Sequence, residues 1–339
     1  MSADRMPRAG VLGCGHALPP HTRGNDDPLY AQLDRTPNDQ GVVEADLFVG
    51  MGERRYLGAG ELIEPLMVAA CSRALAHAGI EPSQVERLYG YASVPTFVTP
   101  NSLFTVHRDL GLSERAMVIP VNSEFSNFAV SLAMAGEAVD AGRIKHALVV
   151  CGSNWTRHVD YTKGHAITAS DAAAAAVVAG DARLALVDHQ TRTYSDQFHS
   201  MRMYTRSLST GCRSVVPVGA DNLPVPTYEI DATEGVAVYQ SIMKEGLPDL
   251  VNYVLACNGV TGRDVALITH QGSRTLIDHW ADRIGPRQYL ETFETFGNMT
   301  LATYPVNLSH FFTDITSPYV MIAAVGPGFH LTATLLRQR

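Results

Sequence analysis

The chain has 339 residues, of which 46% are hydrophobic, and its formal net charge is -8 at pH 7. This length suits two coupled halves with a large buried interior better than a single core. Acidic and basic residues are interspersed, which argues against a basic nucleic-acid-binding surface and against a polybasic membrane-binding segment.

Targeting, redox and metal signals are also absent from the sequence. No apolar run approaches the length of about 18 residues that a membrane span needs, and the first ten residues, MSADRMPRAG, lack the apolar stretch of a signal peptide. The five cysteines are widely spaced and form no CxxC pair, which favours reduced thiols in a cytoplasmic protein. The thirteen histidines form no HExxH or paired Cys/His spacing, so we expect no metal site.

The first half of the chain predicts alternating strands and helices. The expected elements are a strand over 9–18, a helix over 65–77, a strand over 85–93, a helix over 100–110, a buried strand over 117–121, a helix over 128–141 and a strand over 146–152. Gly79 and Gly142 follow two of these helices, as is typical of a helix end in the left-handed conformation.

The second half predicts the same alternation. The expected elements are a strand from 184, helices within 235–257, a strand over 265–269, a helix over 274–284 and strands over 319–325 and 329–336. Residues 194–228 are rich in Ser, Thr, Met, Gly and Pro and predict a long irregular segment of functional importance. The order of elements indicates α/β layers around central sheets.

A strand-to-helix junction at residues 122–127 has the most informative sequence. Free backbone N–H groups and the helix dipole at such a junction favour negative charge. The segment PVNSEFSNFAVSLAMA resembles, without a gap, the nucleophile segment of the β-ketoacyl-acyl-carrier-protein synthase III family of the thiolase superfamily. That family has a cysteine at the head of the buried helix, and Phe125 stands at the cysteine position here.

The resemblance extends over nearly the whole chain and implies a thiolase-like α/β fold. Two duplicated halves, residues 1–182 and 183–339, would form a five-layered αβαβα architecture. The alanine-rich segment 171–180 would then be a strand, against alanine's helix propensity.

Three further segments resemble family motifs. His270 opens a His-Gln segment at a strand end, Asn298 lies in a Gly-Asn-Met-Thr segment, and Gly326 and Gly328 form a glycine-rich turn close to the nucleophile position. In the family, the histidine and asparagine hold the thioester oxygen and stabilise the enolate formed on loss of carbon dioxide. One such donor is typically worth roughly 3 to 4 kcal/mol. We therefore expect His270 and Asn298 to be catalytic.

Phenylalanine cannot act as a nucleophile, so a substitute would have to come from another residue. Ser126 is a candidate nucleophile, but we favour a role as the N-cap of the following helix. Glu124 is a candidate base in the substrate pocket, although an exposed or ion-paired carboxylate is favoured. Cys212, on the irregular segment, is a further candidate pocket residue.

The pocket entrance is predicted less specifically. Arg54 and Arg55 lie where the family has arginines near the coenzyme A entrance, and the alternative is a solvated arginine pair. Thr99 stands near a position where some relatives carry a bulky residue that closes the partner's acyl tunnel.

The sequence thus predicts a ketosynthase III-like acyltransferase or condensing enzyme of specialised, polyketide-type metabolism, without a cysteinyl acyl-enzyme. It would use a coenzyme A or acyl-carrier-protein thioester and a small-molecule acceptor, with no permanently bound cofactor, as a homodimer. The alternatives are a malonyl-thioester decarboxylase and a non-catalytic subunit that pairs with a cysteine-bearing homologue.

Overall fold

The computed structural model describes residues 9–95, 97, 99–204 and 226–339. Fourteen strands lie within these ranges: β1 Gly10–Ala17, β2 His21–Arg23, β3 Arg54–Tyr56, β4 Arg87–Ala92, β5 Met117–Pro120, β6 His146–Ser153, β7 Ala172–Ala179, β8 Leu184–Thr193, β9 Met201–Tyr204, β10 Thr227–Ile230, β11 Val265–Thr269, β12 Gln288–Tyr289, β13 Tyr319–Gly326 and β14 His330–Gln338. The α-helices of the same ranges are α1 Ile63–Ala78, α2 Ser102–Asp109, α3 Asn127–Asp140, α4 Glu234–Val238, α5 Leu247–Cys257, α6 Arg274–Ile284, α7 Phe293–Phe296 and α8 Thr303–His310. A π-helix, Tyr239–Gly246, joins α4 to α5.

Ten strands form one sheet in the order β12-β11-β13-β14-β8-β1-β7-β6-β4-β5. The N-terminal set, β1 and β4 to β7, and the C-terminal set, β8 and β11 to β14, have the same order and the same pattern of parallel and antiparallel neighbours. The sets meet where β1 pairs with β8 at Gly10 and Val11. This repeat supports the proposed division of the chain near residue 182.

Helices form three layers around the two strand sets. The middle helices, α3 and α8, each contact strands of both sets, and their apolar side chains share one core with those strands. Helices α1 and α2 pack on the outer face of the N-terminal set, while α5 and α6 pack on the outer face of the C-terminal set. The result is the thiolase-like α/β arrangement of layers that the resemblance implied.

Most predicted elements are present within one to three residues of their expected ends. The alanine-rich segment forms the fully buried strand β7. Pairing with β1 and β6 on its two sides overrides alanine's helix propensity. Two expectations were wrong. Strand β5 is at the sheet edge with Met117 55% exposed. The segment 194–228 includes strand β9 and the first two residues of its partner strand β10.

The cysteines within the described ranges are unpaired thiols. Cys14, Cys71 and Cys151 are buried, and Cys257 is exposed. The helices of the same ranges include none with both the length and the apolar character that crossing a bilayer requires.

Candidate active site

The side chains of His270 and Asn298 converge at the carboxyl end of the C-terminal strand set. His270 directly follows β11, and Asn298 follows Gly297, which has a φ of 66°. The amide Nδ2 of Asn298 lies 3.4 Å from Nε2 of His270. The backbone N–H of Thr300 donates to Oδ1 of Asn298 at 2.9 Å, which orients the amide nitrogen toward the imidazole.

Gln271 links the segment that carries His270 to the segment that carries Asn298. Its Nε2 donates to the carbonyl of Gly297 at 2.9 Å, next to Asn298. Its Oε1 accepts hydrogen bonds from the backbone of Thr292 at 2.8 Å and from Asn307 Nδ2 at 2.6 Å. The sequence placed Gln271 in a motif but gave it no role, and the structure shows a buried residue that positions the donor pair.

The hydroxyl of Tyr304 is compatible with a hydrogen on Nε2 of His270. Its hydroxyl oxygen lies 3.5 Å from Nδ1 of His270 and accepts a hydrogen bond from the Val325 N–H at 3.3 Å. The hydroxyl hydrogen can then be donated to Nδ1, which leaves the ring hydrogen on Nε2. Burial lowers the pKa of His270 to about 4, so the imidazole is neutral at pH 7. Two N–H donors 3.4 Å apart can both reach one oxygen at about 2.9 Å.

Phe125 faces this pair. Its ring centroid lies 5.5 Å from that of His270 with the planes 8° apart, and 5.6 Å from that of Tyr228. The backbone φ of Phe125 is 68°, a conformation that a bulky residue rarely adopts and that is found at functional sites where the surrounding structure enforces it. The position that the resemblance assigns to the nucleophile is therefore next to the donor pair.

One cavity of about 50 Å³ is lined by Phe125, His270 and Asn298 together. Its other walls are mainly apolar and include Phe48, Trp155, Val236, Tyr239, Met243 and Phe329. Low polarity strengthens any hydrogen bond from the donor pair to a bound oxygen. The described part of the chain brings together no group of three or more His, Cys, Asp or Glu that could hold a metal ion.

Ser126 does not have the expected capping role. Its backbone carbonyl accepts the Val130 N–H at the start of α3, but its side chain makes no capping hydrogen bond. The hydroxyl is fully buried and has no hydrogen-bond partner among the described residues. It therefore also lacks the hydrogen-bonded base that a nucleophilic serine requires.

The surroundings of Glu124 also differ from the exposed or ion-paired carboxylate that the sequence favoured. Its Oε1 accepts hydrogen bonds from Tyr228 Oη at 2.8 Å and Ser93 Oγ at 3.0 Å, and no ion pair involving Glu124 is found among the described residues. Burial, partly offset by these hydrogen bonds, raises the pKa of Glu124 to about 7. The carboxyl lines a second cleft of about 510 Å³, and Tyr228 lines both cavities.

The glycine-rich turn packs against this junction. A Cβ on Gly326 would lie 2.2 Å from the carbonyl oxygen of Glu124, so only glycine fits there. Gly328 has a φ of 96° and lines the second cleft.

The two arginines have different environments. Arg54 is fully buried, and its guanidinium donates to the carbonyls of Ile167 at 2.6 Å and Gly52 at 3.2 Å. Arg54 is thus neither solvated nor open to a coenzyme, and both expectations for it were wrong. Arg55 is half-buried, with its guanidinium carbon 5.9 Å from the ring centroid of Phe296.

The two remaining candidates are Thr99 and Cys212. Thr99 is exposed and does not line either cavity, although Pro95 and Asn101 on the same loop line the second cleft. Cys212 lies outside the described residues, so its proximity to a pocket stays a prediction.

Three aromatic residues of the site other than Phe125 carried no signal in the sequence. Trp155 Nε1 donates to the backbone carbonyl of Asn298 at 2.8 Å. As described above, Tyr228 donates a hydrogen bond to Glu124, and the hydroxyl of Tyr304 lies beside His270. Such residues are indistinguishable from ordinary core aromatics until the chain is folded.

The layers, the repeated strand order and the convergent donors opposite a strand-to-helix junction define a thiolase-like protein. Two family models agree with this class. The model of 3-oxoacyl-[acyl-carrier-protein (ACP)] synthase III matches residues 120–195, and the model of the C-terminal part of the same family matches residues 255–338.

Curated relatives resemble the chain along its length. The β-ketoacyl-[acyl-carrier-protein] synthase III of Rhodospirillum centenum is 28% identical over 346 residues, covering 98% of this chain and 100% of the relative. The corresponding protein of Koribacter versatilis is 26% identical, covering 97% and 98%. Together with the family models, these relatives support a ketosynthase III-like condensing enzyme.

Solved structures confirm the fold. The priming β-ketosynthase from the R1128 polyketide biosynthetic pathway superposes with a TM-score of 0.82 at 22% identity, covering 100% of this chain and 98% of that chain. The 3-oxoacyl-[acyl-carrier-protein] synthase III of Aquifex aeolicus gives a TM-score of 0.80 at 18% identity, covering 97% and 99%.

Proposed function

We propose that this protein transfers or condenses an acyl group from a coenzyme A or acyl-carrier-protein thioester without forming a cysteinyl acyl-enzyme. The observation that supports this proposal is the donor pair: Asn298 Nδ2 lies 3.4 Å from His270 Nε2 in a mainly apolar cavity that also contains Phe125.

The donor pair would bind the thioester oxygen. Attack on the carbonyl carbon places negative charge on that oxygen, and two fixed N–H donors lower the free energy of the charged state. The acceptor nucleophile forms a bond to the carbonyl carbon, the C–S bond breaks, and the proton lost by the acceptor passes to the leaving thiolate. Because Phe125 cannot hold the acyl group, the acyl group stays on its carrier until the acceptor attacks.

The remaining parts of the proposal extend the expectations from the sequence. The names of the relatives include acyl-carrier-protein synthases and a priming ketosynthase of polyketide biosynthesis. We propose a carrier thioester and a small-molecule acceptor as substrates, no permanently bound cofactor, a homodimer in the cytoplasm, and a role in specialised metabolism.

Two other functions have support of their own. A malonyl-thioester decarboxylase would need the donor pair and no nucleophile, which fits the absence of a hydrogen-bonded base at Ser126 among the described residues. A non-catalytic subunit of a heterodimer is favoured by the Phe125 ring, which stacks on the His270 imidazole in a cavity of only about 50 Å³.

The three functions are separated by incubating the purified full chain with radiolabelled acetyl-CoA or malonyl-CoA. We expect thiol release that depends on an added acceptor, together with no mass increase of the protein. Stable label on Ser126 would contradict the proposal. Carbon dioxide release without an acceptor would indicate the decarboxylase, and inactivity combined with co-purification of a cysteine-bearing homologue would indicate the partner subunit.

A further inference from the structure

A second polar pair lines the cavity that contains the donor pair. Nδ1 of His165 lies 2.7 Å from Oε1 of Glu44, and the same oxygen accepts the backbone N–H of His165 at 3.3 Å. Both Glu44 and His165 line the cavity with Phe125, His270 and Asn298. Because a carboxylate only accepts hydrogen bonds, Nδ1 carries a ring hydrogen, and in the neutral imidazole Nε2 then has a free lone pair.

The Nε2 atom of His165 has no hydrogen-bond partner within the described part of the chain, although only 4% of the side chain is exposed. Two nearby hydroxyl groups are already used. Tyr239 donates to the carbonyl of Leu47 at 2.9 Å, and Thr168 donates to the carbonyl of His165 itself at 3.0 Å. The ring of Phe48 packs edge-on against the imidazole. Nε2 is therefore a buried polar atom without a partner within the described residues, on a ring that lines the apolar cavity.

The electrostatics of Glu44 agree with this tautomer. Burial by itself raises the pKa of the Glu44 carboxyl, but the hydrogen bonds that it accepts from the side chain and backbone of His165 and from the Gly164 N–H favour the ionised form, and the pKa lies below its usual value. Glu44 is therefore ionised at neutral pH and fixes the hydrogen on Nδ1, as carboxylates do for imidazoles elsewhere.

We propose that the Glu44–His165 pair accepts a hydrogen bond from a neutral O–H or N–H group of the substrate, so that the cavity selects a mainly apolar molecule carrying one such donor. The inference rests on the proposed function only in treating this cavity as the substrate site. Two sources have this chemistry: a hydroxyl of the small-molecule acceptor, and an amide N–H of the pantetheine arm of the thioester.

The test uses the full chain with ¹⁵N-labelled histidine and four probes in two matched pairs. Cyclohexanol is compared with methoxycyclohexane, and S-acetyl-N-acetylcysteamine with its N-methylated amide. In the free protein we expect the NMR resonance of an unprotonated Nε2 on His165. The donor-bearing member of at least one pair should shift this resonance and bind about tenfold more tightly than its methylated counterpart, as expected for one lost hydrogen bond.

Two variants serve as controls. Glu44→Gln keeps an oxygen for the backbone and Nδ1 hydrogen bonds, so it should keep the selectivity. Glu44→Gln combined with His165→Phe removes the whole pair without leaving an unpaired carboxylate in an apolar wall, and it should bind both members of each pair equally.

A preference for cyclohexanol identifies the acceptor as the source, and a preference for the cysteamine thioester identifies the carrier arm. Four results would overturn the inference: equal binding of matched probes to the unaltered protein, selectivity that persists in the double variant, a protonated Nε2 in the free protein, or no shift with any probe.

None of these measurements needs turnover. An inactive protein with selective binding would contradict only the proposed acyl transfer, and an active protein without selectivity would contradict only the role of Glu44 and His165.

Discussion

The amides that hold the donor pair and the serines of the segment that begins at Phe125 differ in hydrogen bonding. On the C-terminal side, Oδ1 of Asn298 and both amide atoms of Gln271 have hydrogen bonds of 2.6 to 2.9 Å. On the N-terminal side, the hydroxyls of Ser126 and Ser131 are buried without a partner among the described residues, and the junction residue Phe125 has a φ of 68°.

The difference shows that the hydrogen-bond donors and the residue at the nucleophile position are held by different parts of the chain. Satisfied networks hold donors in place, so the C-terminal side keeps the amide of Asn298 in a fixed position beside the imidazole of His270. The N-terminal side keeps the backbone conformation of a strand-to-helix junction but presents a ring that cannot react. We propose that binding a charged oxygen and supplying a nucleophile are separate features of this fold, and the following changes test each side.

The largest effect is expected for His270→Ala. Loss of one donor of the pair should lower turnover of the thioester by about 10² to 10³, and loss of the buried ring that stacks on Phe125 should also lower the melting temperature, so turnover is measured well below it. His146→Ala, which alters a histidine outside both cavities at the start of β6, is the control. Equal turnover in the two variants would exclude His270 from the reaction.

Phe125→Cys tests the opposite side. A thiol next to the donor pair should form an acyl-enzyme that mass spectrometry detects as a stoichiometric mass increase after incubation with acyl-CoA. The lost ring contacts with His270 and Tyr228 should reduce the free energy of unfolding by about 2 to 4 kcal/mol. Phe125→Ala, which loses the same contacts but has no thiol, is the control. An unmodified Phe125→Cys variant would show that position 125 does not correspond to the family's nucleophile.

Glu124→Gln tests how the junction depends on pH. The pKa of Glu124 is raised from 4.5 to about 7 in the folded chain, so the folded state binds more protons than the unfolded state between these values. Stability from this group is therefore greatest below pH 4.5 and falls as pH rises to about 7. Glu124→Gln should gain about 1 to 3 kcal/mol relative to the unaltered protein between pH 4 and pH 8.

Urea unfolding at both pH values measures this gain, with the exposed Glu114→Gln as the control. A difference that is the same at pH 4 and pH 8 would contradict a raised pKa at Glu124.

Ser126→Ala should have the smallest effect. Because the hydroxyl is buried without a partner in the described structure, its removal should leave the free energy of unfolding unchanged or raise it by up to about 1 kcal/mol. Ser153→Ala is the matched control, since Ser153 Oγ lies 2.8 Å from Thr300 Oγ1 and its loss should destabilise the protein by about 1 to 3 kcal/mol. A strongly destabilised Ser126→Ala variant would show that its hydroxyl has a partner.

Local patterns predicted the elements well where one physical signal dominated. Helix α6 begins at Arg274 and ends at Ile284 as expected, because its apolar spacing and the glycine after it agree. The burial of β5 was misjudged, since an apolar run shows that a segment is a strand but not whether the strand is central or at an edge. The surroundings of Arg54 were misjudged because burial of a charged group depends on acceptors far away in sequence, such as Ile167.

The sequence by itself determined the order of strands and helices, the junction at Phe125 and the two motifs that contain His270 and Asn298, because these depend on neighbouring residues. Only the tertiary structure decided that the imidazole and the amide are 3.4 Å apart, that Phe125 stacks on His270, and that Glu44 and His165 share their cavity. Each of these arrangements joins residues that are distant along the chain, and their approach is set by packing of the two strand sets around α3 and α8.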